Sequence, residues 1–157
     1  MEDLPNSKEL VLSLIFFMAV EDFLFYNVHR LLHWRMIYPY IHKMHHTHKV
    51  TVSIGAEYAH PVEHIVNAMC VMAGPKLLGY NCHTVTVFAW YIVRFIETMD
   101  AHSGYEFSWS PFRLLPLSGS ADYHDFHHEV NVGNYASFFC VWDTVFGTNK
   151  VYLEAKQ

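Results

Sequence analysis

Cysteine is scarce in this chain. Cys70, Cys82 and Cys140 are odd in number and make no CxxC spacing, which supports neither a disulfide framework nor a thiolate metal site and leaves them as buried small apolar residues. Basic residues are few as well: ten Lys and Arg against fifteen Asp and Glu give a formal net charge of −5, so nothing in the charge balance points to a nucleic-acid partner. Met1 to Ser7 carries two acids and no basic n-region, and does not read as a secretory signal. No internal repeat or low-complexity tract interrupts the single domain that 157 residues suggest. The 52% hydrophobic content does not by itself decide between a soluble and a membrane protein.

Histidine is what the chain has in excess. Eight of its thirteen histidines fall into three tight runs: His29 and His33 in HRLLH, His42, His45 and His46 in HKMHH, and His124, His127 and His128 in HDFHH. Read as α-helices, these runs share faces through i, i+3 and i+4 spacing, so each run is expected to point its imidazoles one way. Eight neutral imidazoles exceed what one four-coordinate ion uses, and two metals are implied.

The distribution of apolar residues adds a membrane to this reading. Leu10 to Val28 is apolar apart from a few polar positions, and 19 residues at about 1.5 Å each span ~28 Å, nearly one hydrocarbon core. Ile65 to Tyr80, interrupted at Gly74 and Pro75, and Val85 to Ile96 are each short, and pair as a hairpin or re-entrant unit. A single crossing would leave HDFHH about 30 Å from HKMHH, whereas metal–nitrogen bonds are roughly 2 Å, so the chain must return if the runs share a site. Arg30, Arg35, Lys43 and Lys49 flank the first two runs, which by the positive-inside tendency puts the histidine side in the cytosol. Ser103 to Ser120 reads as a loop, and Tyr135 to Phe146 as a final helix stopped by Gly147. The fold class is all-α: an integral membrane helical protein with a cytosolic histidine-rich di-metal site.

Single residues can be weighed against that frame. His102, in ETMDAHSGY, follows the third apolar stretch and re-emerges on the metal side as a ninth candidate ligand, with His60 an open tenth. His48 lies about 120° off the face of its run, and His83 falls at the hairpin tip on the far side, so neither should touch metal. His60 and His64 also form HPVEH, an HxxEH pattern that would make Glu63 the general base of a membrane zinc protease; the plainer reading is a helix start with Pro61 in its first position. Asp22, Tyr26, His29 and His33 form one helical stripe, and Asp22 and Tyr26 are expected to orient His29 without binding metal. Glu21 is rotated off that stripe.

Two metals held by imidazole and facing lipid suit oxygen activation by iron better than hydrolysis, which favours bridging carboxylates or water-rich access. Soluble di-iron bundles use paired Glu-x-x-His motifs, which this chain lacks. HRLLH, HKMHH and HDFHH resemble the three histidine boxes of the fatty acid hydroxylase and sterol desaturase superfamily, and AEYAHPVEH, ETMDAHSGY and GNYASFFCVWDTVFGT look most like its C4-methylsterol oxidase branch. The resemblance covers roughly residues 16 to 149. It implies a short N-terminal segment at 1–9, a fatty acid hydroxylase-like di-iron domain at 10–149 and a tail at 150–157, preceded in relatives by further membrane segments. It implies an oxidoreductase of the endoplasmic reticulum membrane: a monooxygenase with two Fe ions, O2 as co-substrate and electrons from NAD(P)H through cytochrome b5 and its reductase. The substrate would be a sterol whose C4-methyl group is oxidised, or, in a related enzyme, another sterol or fatty-acyl carbon that is hydroxylated or desaturated. The box ligands carried over are His29, His33, His42, His45, His46, His124, His127 and His128.

Overall fold

The computed structural model describes residues 4–157, and among these the only strand-like pairing is an isolated bridge between Ser118 and Phe139. Six α-helices are described: α1 (Ser7–Leu32), α2 (Pro61–Leu78), α3 (Thr84–Ala101), α4 (Ser120–Val130), α5 (Val141–Phe146) and α6 (Lys150–Ala155). Short 3-10 turns lie at His42–Thr47, Ser53–Glu57 and Gly79–Asn81.

α1 begins with a reciprocal cap. The Glu9 amide donates to Asn6 Oδ1 at 2.9 Å, and the Asn6 amide donates to Glu9 Oε2 at 3.2 Å, satisfying two of the otherwise orphaned donors. The helix therefore starts earlier than its apolar stretch and runs on to Leu32, placing His29 in its last turn and His33 at its C-cap. It is one helix long and apolar enough to cross a membrane. Val11, Leu12, Ile15, Phe16 and Phe23 face outward from it.

α2 and α3 form the expected hairpin but extend past the apolar stretches at the histidine end. Gly74 and Pro75 do not break α2, which continues to Leu78. Proline forfeits one hydrogen bond there, close to where the helix ends in any case. Gly74 is instead the point where α1 comes closest: a Cβ built on it would lie 2.8 Å from Phe17 Cα. α1 ends, α2 begins and α3 ends on one side of the molecule, and His83 caps α3 on the other, ~27 Å away along an 18-residue helix.

Two buried acids on α1 have different tasks from those their helical positions suggested. Glu21 accepts from Arg94 Nε at 2.9 Å, and the same guanidinium donates to Glu97 and Thr98, tying α1 to α3 in a dry ionic cluster. Asp22 Oδ1 accepts the Phe139 amide at 2.9 Å and reaches neither Tyr26 nor His29; Tyr26 shares a hydrogen bond with Thr148 Oγ1 at 3.1 Å. Phe17, Trp90 and Phe138 form the apolar core between α1, α3 and the chain before α5, with Trp90 Nε1 donating to the Val71 carbonyl at 2.9 Å.

The expected helix over Tyr135–Phe146 is confined to α5. Asp143 accepts the amides of Tyr135 and Ala136 at 2.9 and 2.8 Å, and Asp22 takes that of Phe139, so these donors cannot join a helical ladder. Asn131, Gly133 and Asn134 all adopt positive φ, which bends the chain sharply before it. A further helix, α6, follows Gly147 within the expected tail.

Candidate metal centre

The three histidine runs and His102 converge on one another at the end of the bundle. They do not converge run by run. One group contains His29, His33, His42, His46 and His127, the other His45, His102, His124 and His128, and within each group the candidate ligand atoms lie within 4.8 Å of one another. The expectation that each box points all its imidazoles one way holds for HRLLH, whose His29 and His33 share the first group, and is corrected for the other two. HKMHH is a 3-10 turn with His46 at non-helical φ/ψ, not an α-helix, and it sends His42 and His46 to the first group and His45 to the second. HDFHH is α-helical in α4, but the roughly 100° step between adjacent residues parts His127 from His128, while His124 and His128, one turn apart, stay together. The groups abut: the His46 and His128 rings stack with centroids 4.4 Å apart.

Hydrogen bonds at the far side of several rings fix which nitrogen faces inward. His42 Nδ1 donates to Glu63 Oε1 at 2.8 Å, His29 Nδ1 to the Tyr135 carbonyl at 3.0 Å, His102 Nδ1 to the Thr98 carbonyl at 2.9 Å and His127 Nδ1 to the Gly133 carbonyl at 2.5 Å. A neutral imidazole protonated at Nδ1 presents a bare lone pair at Nε2. Those Nε2 atoms meet one another: His42 and His46 at 3.1 Å, His127 and His46 at 3.2 Å, His127 and His33 at 3.1 Å, and in the second group His102 and His124 at 2.9 Å and His102 and His45 at 3.2 Å. Nε2 atoms gathered at these distances form a set of imidazole donors that fits a metal in each group. Burial, reinforced by neighbouring imidazoles, pushes His102 down to about 3, and burial holds His128 at about 4. Both are in the neutral, ligating form at ordinary pH.

The other residues singled out from the sequence fall elsewhere. His60 caps α2, its Nδ1 accepting the Val62 amide at 3.2 Å, and stands outside both groups. His64 Nε2 bonds the Glu57 carbonyl at 3.1 Å, while Glu63 turns inward to His42. HPVEH therefore does not bring its two histidines and glutamate to one site, and the zinc-protease reading fails on geometry. His48 is exposed, and neither it nor His83 belongs to either group. Asp22 and Tyr26 do not orient His29; the Tyr135 carbonyl does.

Sequence reasoning missed the groups that position the rings. Glu63 was visible in HPVEH only as a protease base, and Thr98 lies one helical turn before His102. Gly133 and Tyr135 supply carbonyls from a segment read partly as helix, and Asp143 pins that segment while itself wholly buried. Gly133, followed by Asn134 and two residues after Asn131, carried a turn signal; Asp143 carried none.

A cavity of about 360 Å³ opens against the histidines, with His29, His42, His45, His102 and His124 on its wall. Much of the remaining lining is apolar, including Phe25, Leu32, Ala68, Val71, Phe95 and Phe112. Glu63 and Asn67 of α2 also face it.

Comparison with known proteins places this arrangement in a family. The sequence model for the fatty acid hydroxylase family matches residues 14–148. Very-long-chain aldehyde decarbonylase GL1-11 of Oryza sativa subsp. indica is 42% identical over 156 residues, 98% of this chain and 58% of the relative. Methylsterol monooxygenase 2-2 of Arabidopsis thaliana is 40% identical over 156 residues with the same coverage, and methylsterol monooxygenase 2-1 of that plant is 39% identical over 168 residues, covering 98% of this chain and 61% of its own. The chain thus spans a little over half the length of these relatives. No solved structure matches it. With a family match running from the middle of α1 to the end of α5 and enclosing every converging histidine, this chain belongs to the fatty acid hydroxylase family.

Proposed function

We propose that this chain is the metal-bearing part of a membrane di-iron monooxygenase that oxidises the C4-methyl group of a sterol. The observation carrying the proposal is the convergence of nine imidazoles, in groups of five and four, five of which lie on the wall of a cavity with much apolar lining. Among the described residues neither group includes a carboxylate, which favours oxygen chemistry over two-metal hydrolysis.

His29, His33, His42, His46 and His127 would hold one iron, and His45, His102, His124 and His128 the other. Bound iron, given O2 and two electrons, supplies the oxidant that turns C–H into C–OH, with the second oxygen atom leaving as water. The protein's part is placement. Glu63, Thr98, Gly133 and Tyr135 lock four rings by their Nδ1 atoms, and the apolar walls from α1, α2 and α3 exclude water and hold the methyl group against the histidines. Electrons are proposed to arrive from NAD(P)H through cytochrome b5 and its reductase. The outward apolar residues of α1, α2 and α3 would face lipid in the endoplasmic reticulum membrane, with the histidine end on the cytosolic side.

The similarity to a very-long-chain aldehyde decarbonylase favours a second reading, in which the same cavity takes a linear aliphatic chain. Full-length protein in lipid nanodiscs, supplied with reductase, cytochrome b5, NAD(P)H and 18O2, separates the two. A 4-methylsterol is expected to gain one labelled oxygen at the methyl carbon. Turnover of a linear aldehyde alone establishes the second reading, and one zinc per chain with no labelled product overturns both.

A further inference from the structure

α2 carries two buried oxygens that no described protein group satisfies, and both of their side chains line the cavity. Glu63 uses Oε1 for His42, leaving Oε2 without a partner, and Asn67, one helical turn on, has its amide oxygen likewise unpartnered. Of the other polar side chains on that wall, Arg94 is consumed by Glu21, Glu97 and Thr98, Thr98 Oγ1 also donates to the Arg94 carbonyl, and the Tyr123 hydroxyl, likewise buried without a partner, belongs to α4. A buried acceptor without a donor costs free energy, and two on one cavity wall form a site for a ligand that brings the hydrogen.

We infer that Glu63 Oε2 and Asn67 Oδ1 form an acceptor subsite for a hydroxyl group of the substrate. The inference rests on the monooxygenase reading and adds to it the residues that would receive the hydroxyl of its sterol substrate. Glu63 is bonded directly to His42, a member of the first imidazole group, so an alcohol held there has its neighbouring carbon beside the histidines. A lipid alcohol with the oxidised carbon attached one carbon from the carbinol, as in a 4-methylated 3-hydroxysterol, meets that spacing. A hydrocarbon chain without a hydroxyl leaves both acceptors buried and unpaired, which disfavours its binding.

The test compares dissociation constants of the iron-loaded full-length protein in nanodiscs for a 4,4-dimethylated 3-hydroxysterol and for its 3-deoxy counterpart, which adds no bulk. The alcohol is expected to bind about 10-fold tighter or more, the size of one hydrogen bond that a buried acceptor otherwise lacks. Asn67→Leu is expected to cut that preference by about 5-fold with iron content unchanged, and Asn67→Asp, which keeps an oxygen in place, to preserve most of it. Equal affinities in the unmodified protein, an undiminished preference in Asn67→Leu while Asn67→Asp folds normally, or failure of the alcohol to bind each overturns the subsite. Labelled-oxygen insertion alongside equal affinities removes the subsite and leaves the monooxygenase standing. A strong alcohol preference without oxygenated product does the reverse.

Discussion

Glu63 Oε1 accepts a hydrogen bond from His42 Nδ1 at 2.8 Å, and both residues are almost wholly buried, at 2% and 1% exposure. A carboxylate behind an imidazole raises its basicity and holds the ring in one tautomer, which makes this pair the electrostatic anchor of the five-histidine group. Glu63→Gln keeps an acceptor but removes the charge. Iron retained after dialysis against a chelator is expected to fall about 10-fold in affinity at the His42 group, with Glu63→Ala worse. Iron binding equal to the unmodified protein would show that the pair is structural only.

The split of the boxes predicts which ligand serves which metal. His33→Ala and His102→Ala are each expected to lower iron from two per chain to about one, because they belong to different groups, and the double variant should hold none. His48→Ala and His83→Ala should keep both irons. Metal analysis with Mössbauer spectroscopy on full-length protein reads this directly. Loss of both irons in each single variant would mean that the two groups form one cooperative site.

The acids of α1 exchange importance relative to their helical positions. Glu21, which the stripe argument set aside, is fully buried against Arg94, whereas Asp22 accepts the backbone amide of Phe139. Arg94→Met leaves Glu21 and Glu97 buried without their cation and is expected to destabilise by about 3–5 kcal/mol, with Glu21→Gln intermediate. Asp22→Asn retains an oxygen for the Phe139 amide and should cost less than Glu21→Gln. Thermal midpoints measured in one detergent give the order, and a larger loss for Asp22→Asn contradicts it.

Much of the site was legible because metal ligation leaves short, local spacing in the sequence: HRLLH, HKMHH and HDFHH announced a histidine cluster, and the end of the third apolar stretch located His102. The helical core was legible from its apolar stretches, with Pro61 marking where α2 begins, whereas α1 starts at Ser7, ahead of the stretch from Leu10, because Asn6 and Glu9 cap it reciprocally. What could not be read depends on closures far apart in sequence. The pairing of His42 with Glu63, of Arg94 with Glu21 and of Phe139 with Asp22 joins residues 21, 73 and 117 positions apart, and no local pattern encodes them. The helical expectation over Tyr135–Phe146 failed because side-chain carboxylates captured the amides a helix would have used. The division of HKMHH and HDFHH between two groups escaped because it follows from where these boxes sit, between the groups, and not from their spacing.

The turn at Gly133 gives the most discriminating test of how distant backbone controls the metal. Gly133 has φ +76°, its carbonyl accepts from His127 Nδ1, and an added Cβ would lie 2.1 Å from the Thr148 carbonyl oxygen. That contact is with backbone, so the turn itself must move, and His127 then loses the acceptor that fixes its tautomer. Gly79 serves as the control: it also has positive φ, at +56°, but a Cβ there meets nothing within 4 Å. Both alanine variants carry a positive-φ backbone penalty of about 1–3 kcal/mol. Only Gly133→Ala should additionally deplete iron from the five-histidine group, leaving close to one iron per chain, while Gly79→Ala keeps two at a modestly lower melting temperature. If the two variants lose stability alike and both retain two irons, the Gly133 carbonyl does not position His127, and the orientation of that ring must come from its packing among the other imidazoles.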